Sequence, residues 1–131
     1  MPRENVELVR RGYAAWDSGD LRAMLELLAE NVVTRRVAPL PDPATFHGRD
    51  GMLEIIADWL EGFDDFAMHD EEYIEVGDRV VVGIRQVACG HRSRVPVEAT
   101  FWFVHAIEDG KIARLELYAA RQDALDAAGV Q

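Results

Sequence analysis

Apolar residues recur at spacings of three and four through the first half of the chain, then alternate or run together through the second. From Glu4 to Ser18, Val6, Val9, Tyr13 and Trp16 fall on one helical face. Glu4 and Glu7 suit the positive N-terminal end of that helix. Ser18-Gly19 ends it. Asp20 is placed to cap a second helix, which carries Leu21, Met24, Leu25 and Leu28 and fades near Glu30-Asn31. Val32 to Val37 predicts a short strand. Pro39, Pro41 and Pro43 then impose a loop, because proline lacks the donor that a ladder or helix needs. His47-Gly48-Arg49-Asp50 opens a third helix with an apolar face at Leu53, Ile56, Trp59, Leu60 and Phe63, closed by Asp64-Asp65.

From Phe66 onward the texture is β-rich. Tyr73 to Val76 predicts a strand, and Gly77-Asp78 a hairpin turn, since glycine accepts the positive φ such turns need. Arg79 to Cys89 predicts a long strand, Gly90 to Arg94 a basic loop, and Val95 to Ile107 a second long strand. Asp109-Gly110 turns into a strand from Lys111 to Ala119. Arg121 to Ala128 is helical in composition and ends at Gly129. With no repeat or linker, residues 1–131 predict a single domain. The order of elements predicts an α+β architecture, with helices covering one face of a mainly antiparallel sheet. Polar and aromatic side chains caught between the layers then point to an enclosed functional site.

Charge narrows the choice of partners. The formal net charge is -10, which repels phosphate backbones and anionic membranes, so neither nucleic acid nor a membrane is expected as partner. Only Arg92-Ser93-Arg94 forms a basic cluster. No apolar run approaches the ~20 residues of a membrane span. The lone Cys89 forms no internal disulfide, which makes a reducing cytoplasm the expectation. The four histidines lack ligand spacing, so no metal and no other cofactor is expected.

Tyr13, Trp16, Gly19-Asp20, a leucine-rich helix, His47-Gly48-Arg49 and Asp109-Gly110-Lys111-Ile112 occur in an order that resembles the nuclear-transport-factor-2-like superfamily, and within it the SnoaL-like group. The resemblance covers nearly the whole chain. It implies a cone, in which a strongly curved sheet wraps a pocket closed by helices, and a homodimer packed through the sheet. The superfamily includes ketosteroid isomerases, polyketide cyclases and epoxide-hydrolase-like enzymes, so fold alone assigns no chemistry. An alignment without gaps puts Gly12 where the isomerases carry a catalytic tyrosine, Arg36 at their base aspartate and Trp102 at their protonated aspartate. An arginine, with a pKa above ~12, abstracts no proton near neutral pH. The isomerase mechanism is therefore not expected here.

Arg36 shares a strand face with Val32 and Thr34. If that face is concave, its guanidinium enters an enclosed space and needs a carboxylate, from the protein or from a ligand. On the strand from Val95 to Ile107, Glu98, Thr100, Trp102, Val104 and Ala106 share one face, and Phe101, Phe103, His105 and Ile107 belong to the other. The alignment turns the first set toward the pocket, and leaves an aromatic outer face to be covered by a dimer partner. Apolarity alone argues the reverse. Glu98 is expected to pair with Arg36 or Arg85, or to act as a general base. His105 is a satisfied core or interface histidine or an acid–base group. Tyr13, Trp16, Trp59, Phe63, Trp102 and Leu115 are the expected walls.

Two functions follow. One is small-molecule binding, with cofactor-independent acid–base chemistry on an apolar oxygenated compound if the protein is an enzyme (isomerisation, cyclisation, dehydration or hydrolysis), in which Glu98 or His105 is the base and Arg36 or Trp102 the electrophilic donor. The other is a non-catalytic dimeric domain for protein association, its pocket vestigial. A cavity under a few hundred Å³, or one closed by Trp102 and Phe63, would mark the second.

Overall fold

The computed structural model describes residues 2–130. Three helices and two strands come first: α1 (Pro2–Asp17), α2 (Leu21–Glu26), β1 (Leu28–Arg36), β2 (Ala44–His47) and α3 (Gly48–Gly62). Four strands and a helix follow: β3 (Phe63–Val76), β4 (Arg79–Gly90), β5 (Pro96–Glu108), β6 (Lys111–Tyr118) and α4 (Arg121–Ala128). The strands form one curled, open six-stranded sheet in the order β2-β1-β6-β5-β4-β3. Every pairing is antiparallel except β1 with β6. The expected α+β class holds.

Local chemistry explains the joints. Asp20 caps α2 by accepting from Ala23 N–H at 3.1 Å. Asp109 and Gly110 both take positive φ, 50° and 73°, as a tight hairpin between right-twisted strands requires. Arg49 donates to the Leu28 carbonyl through Nε (3.2 Å) and Nη2 (2.7 Å). The His47-Gly48-Arg49 motif thus ties the start of α3 to the start of β1.

Four boundaries differ from expectation. The helix expected to reach Leu28 stops at Glu26, where the Leu27 carbonyl accepts from Ile112 N–H (2.9 Å) and the chain enters the sheet. Ala44–His47 is an edge strand rather than loop, a position that tolerates nearby prolines. The third helix closes at Gly62, so Phe63 begins β3. That strand starts ten residues before the expected Tyr73, its first half masked by charges typical of a sheet edge.

The faces of β5 correct the gapless alignment. Val80, Val82, Ile84 and Phe103 pack in the main core with residues of α1 and α3 such as Leu8, Val9 and Ile56. Across the ladder His105 lies opposite Val80 and Phe101 opposite Ile84. The set from Phe101 to Ile107 is therefore inside, as apolarity argues, and the aromatic outer face expected to meet a dimer partner is not there. Trp102 instead joins Val81, Val104, Ala124 and Leu125 under α4 on the convex side. The irregularity in the β5–β6 ladder falls on β6, where Ala113 is the extra residue, and β5 itself alternates without a break. A gapless count that is off by one residue exchanges the two faces of a strand.

Trp102 lies directly over Gly83 in β4. A Cβ added there would stand 2.7 Å from Trp102 Cζ3. Gly83→Ala must push the indole and α4 away from the sheet, and should cost about 1–3 kcal/mol, as overpacking usually does. Urea titration checks this, and Gly83→Ala combined with Trp102→Leu should recover most of the loss.

Candidate functional site

The long strands β3, β4 and β5 have 14, 12 and 13 residues, about 40 Å at ~3.3 Å per residue. The covering helices α1 and α3 have 16 and 15 residues, about 23 Å at ~1.5 Å per residue. The sheet overhangs its cover, and a hollow of about 410 Å³ lies in the overhang. Its walls include Leu40 of the proline loop, Trp59, Phe66, Phe101 and Phe103. Phe63 (38% exposed) and Val97 (43%) stand at its mouth. Behind it, bordered on both sides by Trp59 and Phe103, is a recess of about 60 Å³ lined by Tyr13, Trp16, His105 and Leu115.

Aromatic contacts fix the walls. Trp59 stacks on Phe66 at 5.7 Å, with planes 17° apart, and Trp16 meets the edge of Phe66 at 6.2 Å. Next along β3 from Phe63, Asp64 accepts from Arg94 Nη1 (3.0 Å) and bonds His91 Nδ1 (3.0 Å). The hydrogen bond to His91, first, and the Arg94 guanidinium hold the Asp64 carboxyl below its usual range, against the opposing pull of desolvation.

Arg36 and Gln86 are the inward polar groups of the outer hollow, and Gln86 Nε2 donates to Met68 Sδ at 3.8 Å. Strand alternation puts Arg35 on the convex side, where it pairs with Glu116 at 2.7 Å, and Arg36 inward with Thr34 and Val32. The Arg36 guanidinium lies 5.5 Å from the Phe46 ring centroid. Its Nη2 is buried and has no hydrogen-bond partner among the described residues. Thr34 Oγ1, one step inward on the same face, also lacks one. Glu98 does not answer Arg36. It sits on the other face of β5, 61% exposed, and accepts from Arg85 Nη1 at 3.3 Å, while Arg85 Nε binds Glu71 at 3.1 Å. Glu98 touches the hollow only at its rim.

His105 and Tyr13 are the polar groups of the recess, and His105 is 3% exposed. Its Nδ1 lies 3.1 Å from the Val80 carbonyl and its Nε2 3.0 Å from Tyr13 Oη. A carbonyl only accepts, so the proton is on Nδ1, and Nε2 accepts from the Tyr13 hydroxyl. Burial lowers the His105 pKa to about 4, against the opposing pull of the Val80 and Phe103 carbonyls. Burial, then the nearby Tyr73 and Asp70, raises the Tyr13 pKa well above its usual value. Both groups are neutral at pH 7.

The hollow thus gathers Arg36, Trp59 and Phe63, and the recess gathers Tyr13, Trp16, Trp59, His105 and Leu115. Trp102, expected as a wall and donor, lies on the far side of the sheet. Sequence reasoning missed Phe66, Phe101 and Phe103 as walls. The signal for the last two was the apolar alternation of β5, and Phe66 was hidden behind Asp64-Asp65. Among the described residues, no three His, Cys, Asp or Glu side chains gather as metal ligands, and no helix is long and apolar enough to cross a membrane.

Residues 9–115 match the family model of the SnoaL-like domain. The chain belongs to this family. Solved structures agree in fold. An NTF2-like protein of unknown function from Burkholderia pseudomallei K96243 superposes with TM-score 0.78 at 22% identity, covering 97% of this chain and 98% of that one. A putative polyketide cyclase from Xanthomonas campestris pv. campestris gives 0.78 at 20% identity, with 98% of each chain covered. TerC, co-crystallised with polyporic acid, gives 0.78 at 21% identity over 95% of this chain and 98% of that one. No curated protein matches the chain by sequence. These identities establish the SnoaL-like architecture and leave its contents to the residues of this chain.

The neutral His105 carries a stability signature. A folded pKa of about 4 against the ordinary 6.5 means that the unfolded chain binds the proton first. Stability from this group is complete above pH 6.5 and falls as pH drops toward 4, by on the order of 3 kcal/mol. Guanidinium unfolding between pH 7 and 4 should show that slope, and His105→Leu, which has no proton to gain, should lack it.

Proposed function

We propose that this SnoaL-like protein binds an apolar small molecule bearing a carboxylate or enolate oxygen, with its apolar body in the hollow and its oxygen on Arg36. The observation that carries this is the buried, unpartnered Nη2 of Arg36 at the wall of an apolar hollow of about 410 Å³. A buried guanidinium nitrogen without an acceptor is costly, and an arriving anion removes that cost with a charge-assisted bond. The volume lies within the range of small-molecule sites. The co-crystal of TerC with polyporic acid gives a precedent for a ligand held by this fold.

The geometry favours binding over acid–base catalysis by the expected groups. Glu98 faces away in an ion pair with Arg85. His105 is held neutral with its free lone pair engaged by Tyr13. The competing idea, a vestigial pocket, needed a smaller cavity or one stoppered by Trp102, which packs under α4 instead. If two copies associate through the sheet, the convex face offers ion-paired side chains such as Arg35, Arg85, Glu98 and Glu116 beside α4, rather than aromatics.

Arg36→Met tests the reading by separating function from stability. Replacing a half-buried charge, whose Nη2 has no acceptor among the described residues, by an apolar side chain of similar length should leave the melting temperature equal to or above wild type. Affinity for biphenyl-4-carboxylate, measured by calorimetry, should fall at least tenfold, the scale of a lost hydrogen bond to a charged group. Equal affinity in the two proteins would remove Arg36 from the site.

A further inference from the structure

The two chambers present opposite hydrogen-bonding polarity, and this specifies the ligand further. Arg36 has only donors. The chain of bonds behind the recess runs the other way: the Val80 carbonyl accepts from His105 Nδ1, and His105 Nε2 accepts from the Tyr13 hydroxyl, at 3.1 and 3.0 Å. The one proton of Tyr13 is committed, so its oxygen has only lone pairs left to offer. His105 is sealed in the core beside Val80, which is 0% exposed, and reversing the chain would set Nδ1 lone pair against carbonyl oxygen. The direction of the chain is fixed by a backbone group that has no alternative role.

From this juxtaposition we infer that the SnoaL-like site takes a bipolar ligand: a carboxylate or enolate at the Arg36 end, an aromatic or alicyclic body between Trp59 and Phe103, and a hydroxyl or other hydrogen-bond donor seated on Tyr13 in the recess. This inference rests on the proposed role of Arg36 and adds the chemistry of the inner end. The recess, about 60 Å³, has room for a ring edge and its substituent, not for a second ring system, since one water already takes about 30 Å³ of liquid. A ketone or ether oxygen at the inner end would meet Tyr13 lone pair to lone pair and be disfavoured.

Calorimetry on the full chain with three spacer lengths tests this: benzoate, cinnamate and biphenyl-4-carboxylate, each with a distal hydroxyl, a distal fluorine or hydrogen. Fluorine is close to a hydroxyl in size but has no proton to donate. The spacer that fits should show the hydroxyl compound binding three- to tenfold more tightly than its fluoro and unsubstituted partners, the scale of one net hydrogen bond. In Tyr13→Phe that preference should vanish, the hydroxyl, fluoro and unsubstituted acids of one spacer length binding within twofold of one another. Should that variant fail to fold, the hydroxyl-against-fluoro comparison on wild type still decides. Equal binding of hydroxyl and fluoro acids at every length, or a preference that survives Tyr13→Phe, would overturn the inference while leaving Arg36-dependent binding of the unsubstituted acids intact. Loss of Arg36 dependence, by contrast, would overturn the anion site itself.

Discussion

The structure turns on a mismatch of length. Strands of 12 to 14 residues cannot be covered end to end by helices of 15 and 16 residues, because a strand residue advances about twice as far as a helical one. Where α1 and α3 reach, the concave face is a packed core of Val80, Val82, Ile56 and Val9. Beyond them the apolar alternation continues along β5, and along β4 with Gln86 as a polar step, beneath the proline loop and the end of α3. The hollow is the continuation of the core past its lid, which is why its walls are core-like side chains rather than a polar cleft.

The convex face obeys a different rule. Only α4 lies over it, in contact with Val81, Trp102 and Val104. The remainder is closed by charge pairs, Arg35 with Glu116 and Arg85 with Glu71 and Glu98. These exposed pairs add little stability individually, but they occupy the carboxylates nearest to β1 and β5. These carboxylates lie on the outside, and the inward Arg36 guanidinium on β1 has none of them as its partner. Stability alone would not retain such a group. The neutral Tyr13–His105 pair shows the opposite arrangement, polar atoms buried and mutually satisfied.

Most of the architecture was legible in the chain. The three-and-four spacing of Val6, Val9, Tyr13 and Trp16, the turns at Gly77-Asp78 and Asp109-Gly110, and the face that Arg36 shares with Val32 and Thr34 all follow from period and turn chemistry. The errors share one cause: edges and faces are set by partners the chain does not print. Ala44–His47 and the first half of β3 are edge strands whose prolines and acids conceal them. Trp102 looks like a pocket wall until Gly83 beneath it and α4 above it are both known. The pairing of Tyr13 with His105 spans 92 positions and leaves no local trace, since each residue alone reads as ordinary core. Where the alignment and the apolar pattern disagreed about β5, the apolar pattern described the physics of burial and the alignment only a count.

The most direct test is a crystal of the protein soaked in 4-bromobenzoate, with the bromine located by anomalous scattering. The account predicts the carboxylate on Arg36 Nη2 and the bromine deeper, between Trp59 and Phe103. A crystal in which Nη2 is bonded to a protein oxygen, with side chains filling the hollow and bromine found only at the surface, would contradict it.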